Sequence, residues 1–200
     1  HVLEHIDRLI EIFNACWPMY AAMPAVLKDA IEQAYRKVGW DLTTSDCYPL
    51  VFPTFENVLE ELAEIINKSA FSSDTKGDYT GALITRVKSL TNGINGQILC
   101  SGAEISNEEL FDRNVIVDLS RVGSVETKSL LMGILVLKLQ EYRMSQGGEN
   151  TSLKHVTVLE EAHHLLKKTS GVQMQESSNL QGKSVEMIAN AIAEMRTYGE

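Results

Sequence analysis

Apolar side chains at Val2, Leu3, Ile6, Leu9, Ile10 and Phe13 recur at the spacing of one helix face. Met23, Val26, Leu27, Ala30, Ile31 and Ala34 repeat that pattern after a turn around Pro18. Two packed helices are the expectation. From Gly39 to Pro53 the period is lost among Asp41, Ser45, Asp46 and two prolines, Pro49 and Pro53, which marks a connection. Thr54 is then placed to cap a helix with Phe55, Val58, Leu59, Leu62, Ile65 and Ile66 on one face. The polar stretch Ser69 to Asp78 interrupts the pattern, and Tyr79, Leu83, Val87 and Leu90 resume it until Asn92-Gly93. Residues 1–95 therefore read as a helical insertion or subdomain.

The texture then changes. Gln97 to Cys100 is a short apolar run, and Asn114-Val115-Ile116-Val117-Asp118-Leu119 is β-branched and too short for a helix, which predicts a buried strand. Between Glu126 and Arg143 the apolar positions Leu130, Leu131, Ile134, Leu135, Val136, Leu137 and Leu139 surround a helix that should be covered on most sides. His155-Val156-Thr157-Val158-Leu159 predicts a second buried strand, reached through a turn at residues 146–150. Strand, long helix and strand is the order of a right-handed βαβ unit in a parallel sheet. After Leu159 the pattern gives a helical start, a polar loop from Lys167 to Gly182, and a last helix with Val185, Ile188, Ala189, Ile192 and Met195 inward.

Composition narrows the function classes. A chain of 200 residues can bury a substantial core, and its ordinary apolar content argues for a folded protein. The formal charge of -9 argues against a surface that grips nucleic acid everywhere, since phosphate binding needs clustered Lys and Arg. Arg36-Lys37 and Lys167-Lys168 read as solvated faces. Cys16, Cys47 and Cys100 are odd in number and far apart, so reduced thiols in the cytoplasm are the simplest expectation. No run reaches the roughly 18 apolar residues of a membrane span. The chain opens on His1 within a helical pattern and stops just after a helix, so both ends read as cuts in a longer protein.

The chemistry concentrates at Glu160-Glu161, which follow the second apolar run directly. Carboxylates just past the C-terminal end of a parallel strand sit where ligands bind in open α/β sheets. The first can hold Mg²⁺ and the second can orient or deprotonate an attacking water, the arrangement of a Walker B segment. Two acids at the start of a helix would also be stabilised by its dipole, which is the structural alternative. Glu160 with His163 and Glu161 with His164 have ExxH spacing, but a di-iron site needs a second such motif, which is absent. Gly182-Lys183-Ser184 resembles the end of a phosphate loop, yet Ser177 stands where that loop needs glycine and no apolar strand precedes it.

Asn114 to Ser120, the helix ending Leu-Gln-Glu-Tyr-Arg143, Val158-Leu-Glu-Glu-Ala-His163 and Ala193-Glu-Met-Arg-Thr-Tyr-Gly199 together resemble the HerA/FtsK-like P-loop ATPases. The resemblance is good from Asn114 onward and weaker across the helical first half. It implies an α/β fold, a partial RecA-like P-loop NTPase core over residues 96–200, with a mainly helical N-terminal half. It further implies ATP and Mg²⁺ as cofactors, a hexameric ring and DNA as the translocated partner, without identifying a partner nuclease. Carried over by position, Glu160 binds Mg²⁺, Glu161 is the catalytic acid, and Arg196 is an arginine finger for a neighbouring subunit's nucleotide. A cation near a helix C-terminus is an equally good reading of Arg196. Two departures stand out: Glu160 occupies the family's usual aspartate position, and the phosphate loop with its Lys and Ser/Thr is missing. The 200-residue chain alone should therefore hydrolyse ATP poorly or not at all. A noncatalytic module on a degenerate ATPase scaffold, binding protein or nucleic acid through its helical half, is the competing expectation.

Overall fold

The computed structural model describes residues 1–148, 150–164, 185–186 and 188–200. It is built from helices α1 (Val2–Cys16), α2 (Met23–Lys37), α3 (Phe55–Lys68), α4 (Ser73–Tyr79), α5 (Thr85–Thr91), α6 (Gly93–Leu99), α7 (Asn107–Phe111) and α8 (Val125–Ser145). A π-helical turn, Thr80–Ile84, joins α4 to α5. Helical backbone returns at 185–186 and 188–195. The chain divides into two compact units, His1–Ile10 with Met19–Ala103, and Glu11–Pro18 with Glu104–Glu200.

In the first unit the predicted helix faces are buried in part, with Leu3, Leu9, Phe55, Leu59 and Ile65 only half-buried. Ile6, Met23, Leu27, Ile31, Leu62, Ile66, Leu83 and Leu90 are all but fully enclosed. Helix α3 starts where the sequence predicts: Thr54 is its N-cap, and the Asn57 side-chain oxygen accepts from the Thr54 backbone N–H at 2.9 Å. Lys37 at the end of α2 reaches Glu60 and Glu61 of α3 at 3.2 and 2.8 Å. Because the lysine is exposed, these pairs orient the two helices more than they stabilise them. The Ala22 backbone N–H donates to the Tyr79 hydroxyl at 3.1 Å, tying the end of α4 to the start of α2. The polar stretch before Tyr79 is helical after all, because Ser72 caps α4 by accepting from the Thr75 N–H.

The second unit is organised on α8. Leu130, Leu131, Met132 and Gly133 are four consecutive buried positions. Since successive helical side chains turn by about 100°, this covers the whole circumference, as the all-round apolar pattern predicts. Ser124 caps the helix, accepting from the Thr127 N–H at 3.4 Å. Near the C-terminus Val185, Ile188 and Met195 are buried, whereas Ile192 is half-buried and Ala189 is exposed.

The predicted parallel sheet is not there. Among the described residues there is no strand, and the sole β-bridge is an isolated one between Asp41 and Asp46. Run, helix and run follow in the expected order at 114–119, α8 and 155–159, but neither run is hydrogen-bonded into a ladder. Neither is buried: Ile116 is 94% exposed and Val158 78%. The α/β expectation, a RecA-like core of parallel strands with helices, is therefore overturned. β-Branched residues favour a pleated surface only where neighbours complete the ladder and cover the face, and here the described residues supply no neighbour. The Gln97–Cys100 run also resolves differently, with Gln97–Leu99 closing α6. The polar loop from Lys167, Ser177, and the Gly182-Lys183-Ser184 sequence lie outside the described residues.

Candidate functional site

Glu160 and Glu161 stand directly after the 155–159 run, both exposed, and a 3₁₀ turn at Ala162–His164 follows them. Glu161 holds a left-handed backbone, φ 54°, which is unusual for a residue with a long side chain. Such conformations persist where surrounding structure imposes them. The other predicted residue, Arg196, is exposed and opens the 3₁₀ turn Arg196–Tyr198. That turn is fastened to the beginning of the run that Glu160 and Glu161 terminate. The Thr197 carbonyl accepts from the Thr151 N–H at 3.2 Å, and the Gly199 carbonyl accepts from the N–H groups of Lys154 and His155 at 2.8 and 3.3 Å. Gly199 is required here: its φ is 86°, and a Cβ would lie 2.6 Å from the Ser152 carbonyl oxygen.

Sequence reasoning missed the feature that organises this region, a buried polar cluster around Arg143 in the last turn of α8. The Arg143 side chain is 4% exposed. It donates through Nε to Glu200 at 2.8 Å, through one terminal nitrogen to Asp112 at 2.7 Å, and through the other to the Phe111 carbonyl at 2.7 Å. The Tyr142 hydroxyl donates to the second Asp112 oxygen. The other Glu200 oxygen bonds to His155 Nδ1 at 2.7 Å and accepts from the Thr157 hydroxyl. All three guanidinium nitrogens thus donate to an oxygen, two of them carboxylate oxygens, which is how a buried arginine is tolerated. The only signal in the sequence was the apolar pattern on all sides of α8, which implied that its last turn is covered as well.

Charge in this cluster is held firmly. The Tyr142 hydroxyl and then Arg143 lower the Asp112 carboxyl below its ordinary value. Burial pushes Glu200 up, but donation from Thr157, His155 and Arg143 outweighs it and the net shift is downward. Accepting from it, Asp112 in turn pushes the Tyr142 hydroxyl up to about 12. Carboxylates with depressed folded values contribute stability above their unfolded value, about 4, and lose it as pH falls through the folded values. The resistance of the second unit to urea should accordingly stay level from neutral pH to about pH 5 and fall below about pH 4. Midpoints measured across that range check it, and a loss completed between pH 7 and 5 would contradict it.

Among the described residues no three His, Cys, Asp or Glu side chains gather so as to hold a metal ion. Mg²⁺ is usually held by one or two carboxylates together with waters and substrate phosphates, so an exposed Glu160 could serve it. The chain carries no phosphate loop to cradle those phosphates. The residues present therefore do not by themselves fit Mg²⁺-ATP as a whole. No helix among the described residues is long and apolar enough to cross a membrane. Cys16, Cys47 and Cys100 are free thiols. Compared with known proteins, the chain matches no family model, no curated relative and no solved structure.

Proposed function

We propose that the chain is a portion of an ATP-hydrolysing motor of the HerA/FtsK type, a DNA translocase or helicase-like ATPase that works as a ring. The observation that carries this reading is the pair of exposed, consecutive carboxylates Glu160 and Glu161 at the end of an apolar run, with Glu161 in a left-handed turn. Glu160 is the acid for Mg²⁺ and Glu161 the acid for the attacking water. Arg196, exposed on its own turn, is available to a neighbouring subunit's nucleotide. No sheet frames the pair among the described residues, so the reading rests on the acids and on the resemblance of 114–120, 158–163 and 193–199, and not on a fold.

Without a phosphate loop the 200-residue chain should show no Mg²⁺-dependent ATP turnover above background. Phosphate release from the purified chain is the assay. Turnover that disappears in Glu161→Gln would show that a phosphate loop is not needed.

One observation favours a second reading, a noncatalytic interaction module. Val115, Ile116, Val117, Val156 and Val158 are all exposed, more β-branched surface than a finished soluble face usually leaves. The encoding gene separates the two readings. A GxxxxGK[ST] motif ahead of His1 supports the motor, and its absence from an otherwise complete parent supports the module.

A further inference from the structure

Both apolar runs are linked to the same buried arginine, the first through residues just ahead of it and the second through Glu200. Asp112, two residues before the 114–119 run, is bound by Arg143 directly, and the Phe111 carbonyl is bound by the same guanidinium. His155 and Thr157, inside the 155–159 run, are bound through Glu200, which Arg143 also holds. The backbone of Thr151, Lys154 and His155 is fixed to the same C-terminal turn. Glu160 lies three residues beyond Thr157, so the last side-chain anchor of the run stands just short of the acid pair. Nothing else in the described polar contacts of 155–159 supplies a side-chain tether to α8.

Resting on the ATPase reading for its functional arm, we propose that Arg143 is a positioning residue. It sets where the 155–159 run leaves α8, and thereby where Glu160 and Glu161 are presented, without touching substrate itself. Three donors pointing three ways are needed for this, and a lysine cannot supply the same planar fork. Arg143→Lys should keep the charge, and with it much of the fold, while losing the geometry.

The direct test is backbone dynamics of the 200-residue chain by NMR. In the parent sequence residues 154–157 should have order parameters close to the rigid value of about 0.85. In Arg143→Lys those residues should fall below about 0.6, with the signals of 158–161 shifted and those of α8 from Leu130 to Leu139 unmoved. Thr157→Val, at an exposed position, tests the outer link with little risk to folding and should shift the same signals by a smaller amount. A residue that matters only to overall stability would leave the native-state signals of 154–161 where they were in both variants, and that result overturns the proposal. In the protein as encoded, Arg143→Lys should lower kcat for ATP and raise KM, because both acids are displaced, whereas Glu161→Gln should lower kcat alone. Should the encoded protein have no ATPase activity, the motor reading fails while the NMR arm still decides the positioning role.

Discussion

Replacing Arg143 with Met is expected to destabilise the second unit by about 3–5 kcal/mol, the usual cost of removing one partner from a buried, hydrogen-bonded charge pair. The arginine and the Glu200 side chain it binds are 4% and 5% exposed, so the abandoned carboxylate cannot simply turn to water. A domain of this size is stable by only about 5–15 kcal/mol, and the loss is therefore a large share of the whole. If Arg143 acted merely as a cation at a helix end, dipole energetics would limit the loss to about 0.3–1 kcal/mol. Urea denaturation followed at the helical signal distinguishes the two, because the expected ranges do not overlap. Methionine retains most of the aliphatic length, so lost packing contributes little to the difference. Both carboxylates keep other partners, Tyr142 for Asp112 and His155 and Thr157 for Glu200, but Asp112 is about half exposed and Glu200 is buried, which places most of the penalty at Glu200.

Helices were legible in the sequence wherever one apolar face repeated over several turns. The buried positions Val26, Leu27, Ala30 and Ile31 of α2, and Val58, Leu62 and Ile66 of α3, are among those that the spacing picks out. The Thr54 cap was legible for a local reason, since a cap depends on the few residues that follow it. The all-round pattern of α8 likewise gave its burial. Helix α4 was hidden because a short polar helix such as Ser73–Tyr79 has no long apolar face to announce it.

The two apolar runs were misread for a physical reason. Composition reports that Val115, Ile116 and Val117 would suit a sheet, but a strand is defined by hydrogen bonds to a neighbour, and neighbours are non-local. Without them the same residues remain exposed at 46%, 94% and 49%. The acid pair could be singled out because two carboxylates after an apolar run make a local pattern. The cluster around Arg143 was not found, because Asp112, Tyr142, Arg143, His155, Thr157 and Glu200 are brought together from four separate stretches of chain and share no spacing. The left-handed backbone at Glu161 had no sequence signal either, since glycine or asparagine is the usual marker of that conformation.

The assignment of Glu161 to the attacking water has the largest functional consequence. Glutamine preserves the size of the side chain and removes its capacity to take a proton, so the change isolates chemistry from packing. General-base catalysis by a positioned carboxylate contributes about 10²–10⁴ in rate, and a loss on that scale is expected in kcat. Nucleotide affinity should persist, because the water-directed acid is not the one assigned to Mg²⁺. The most direct measurement is steady-state ATP hydrolysis by the protein as encoded, beside its Glu161→Gln variant, with nucleotide binding followed in the same preparations. The account predicts a kcat lower by about a hundredfold or more with binding retained. Equal turnover in the two proteins would contradict it, as would an encoded protein that neither binds nor hydrolyses ATP.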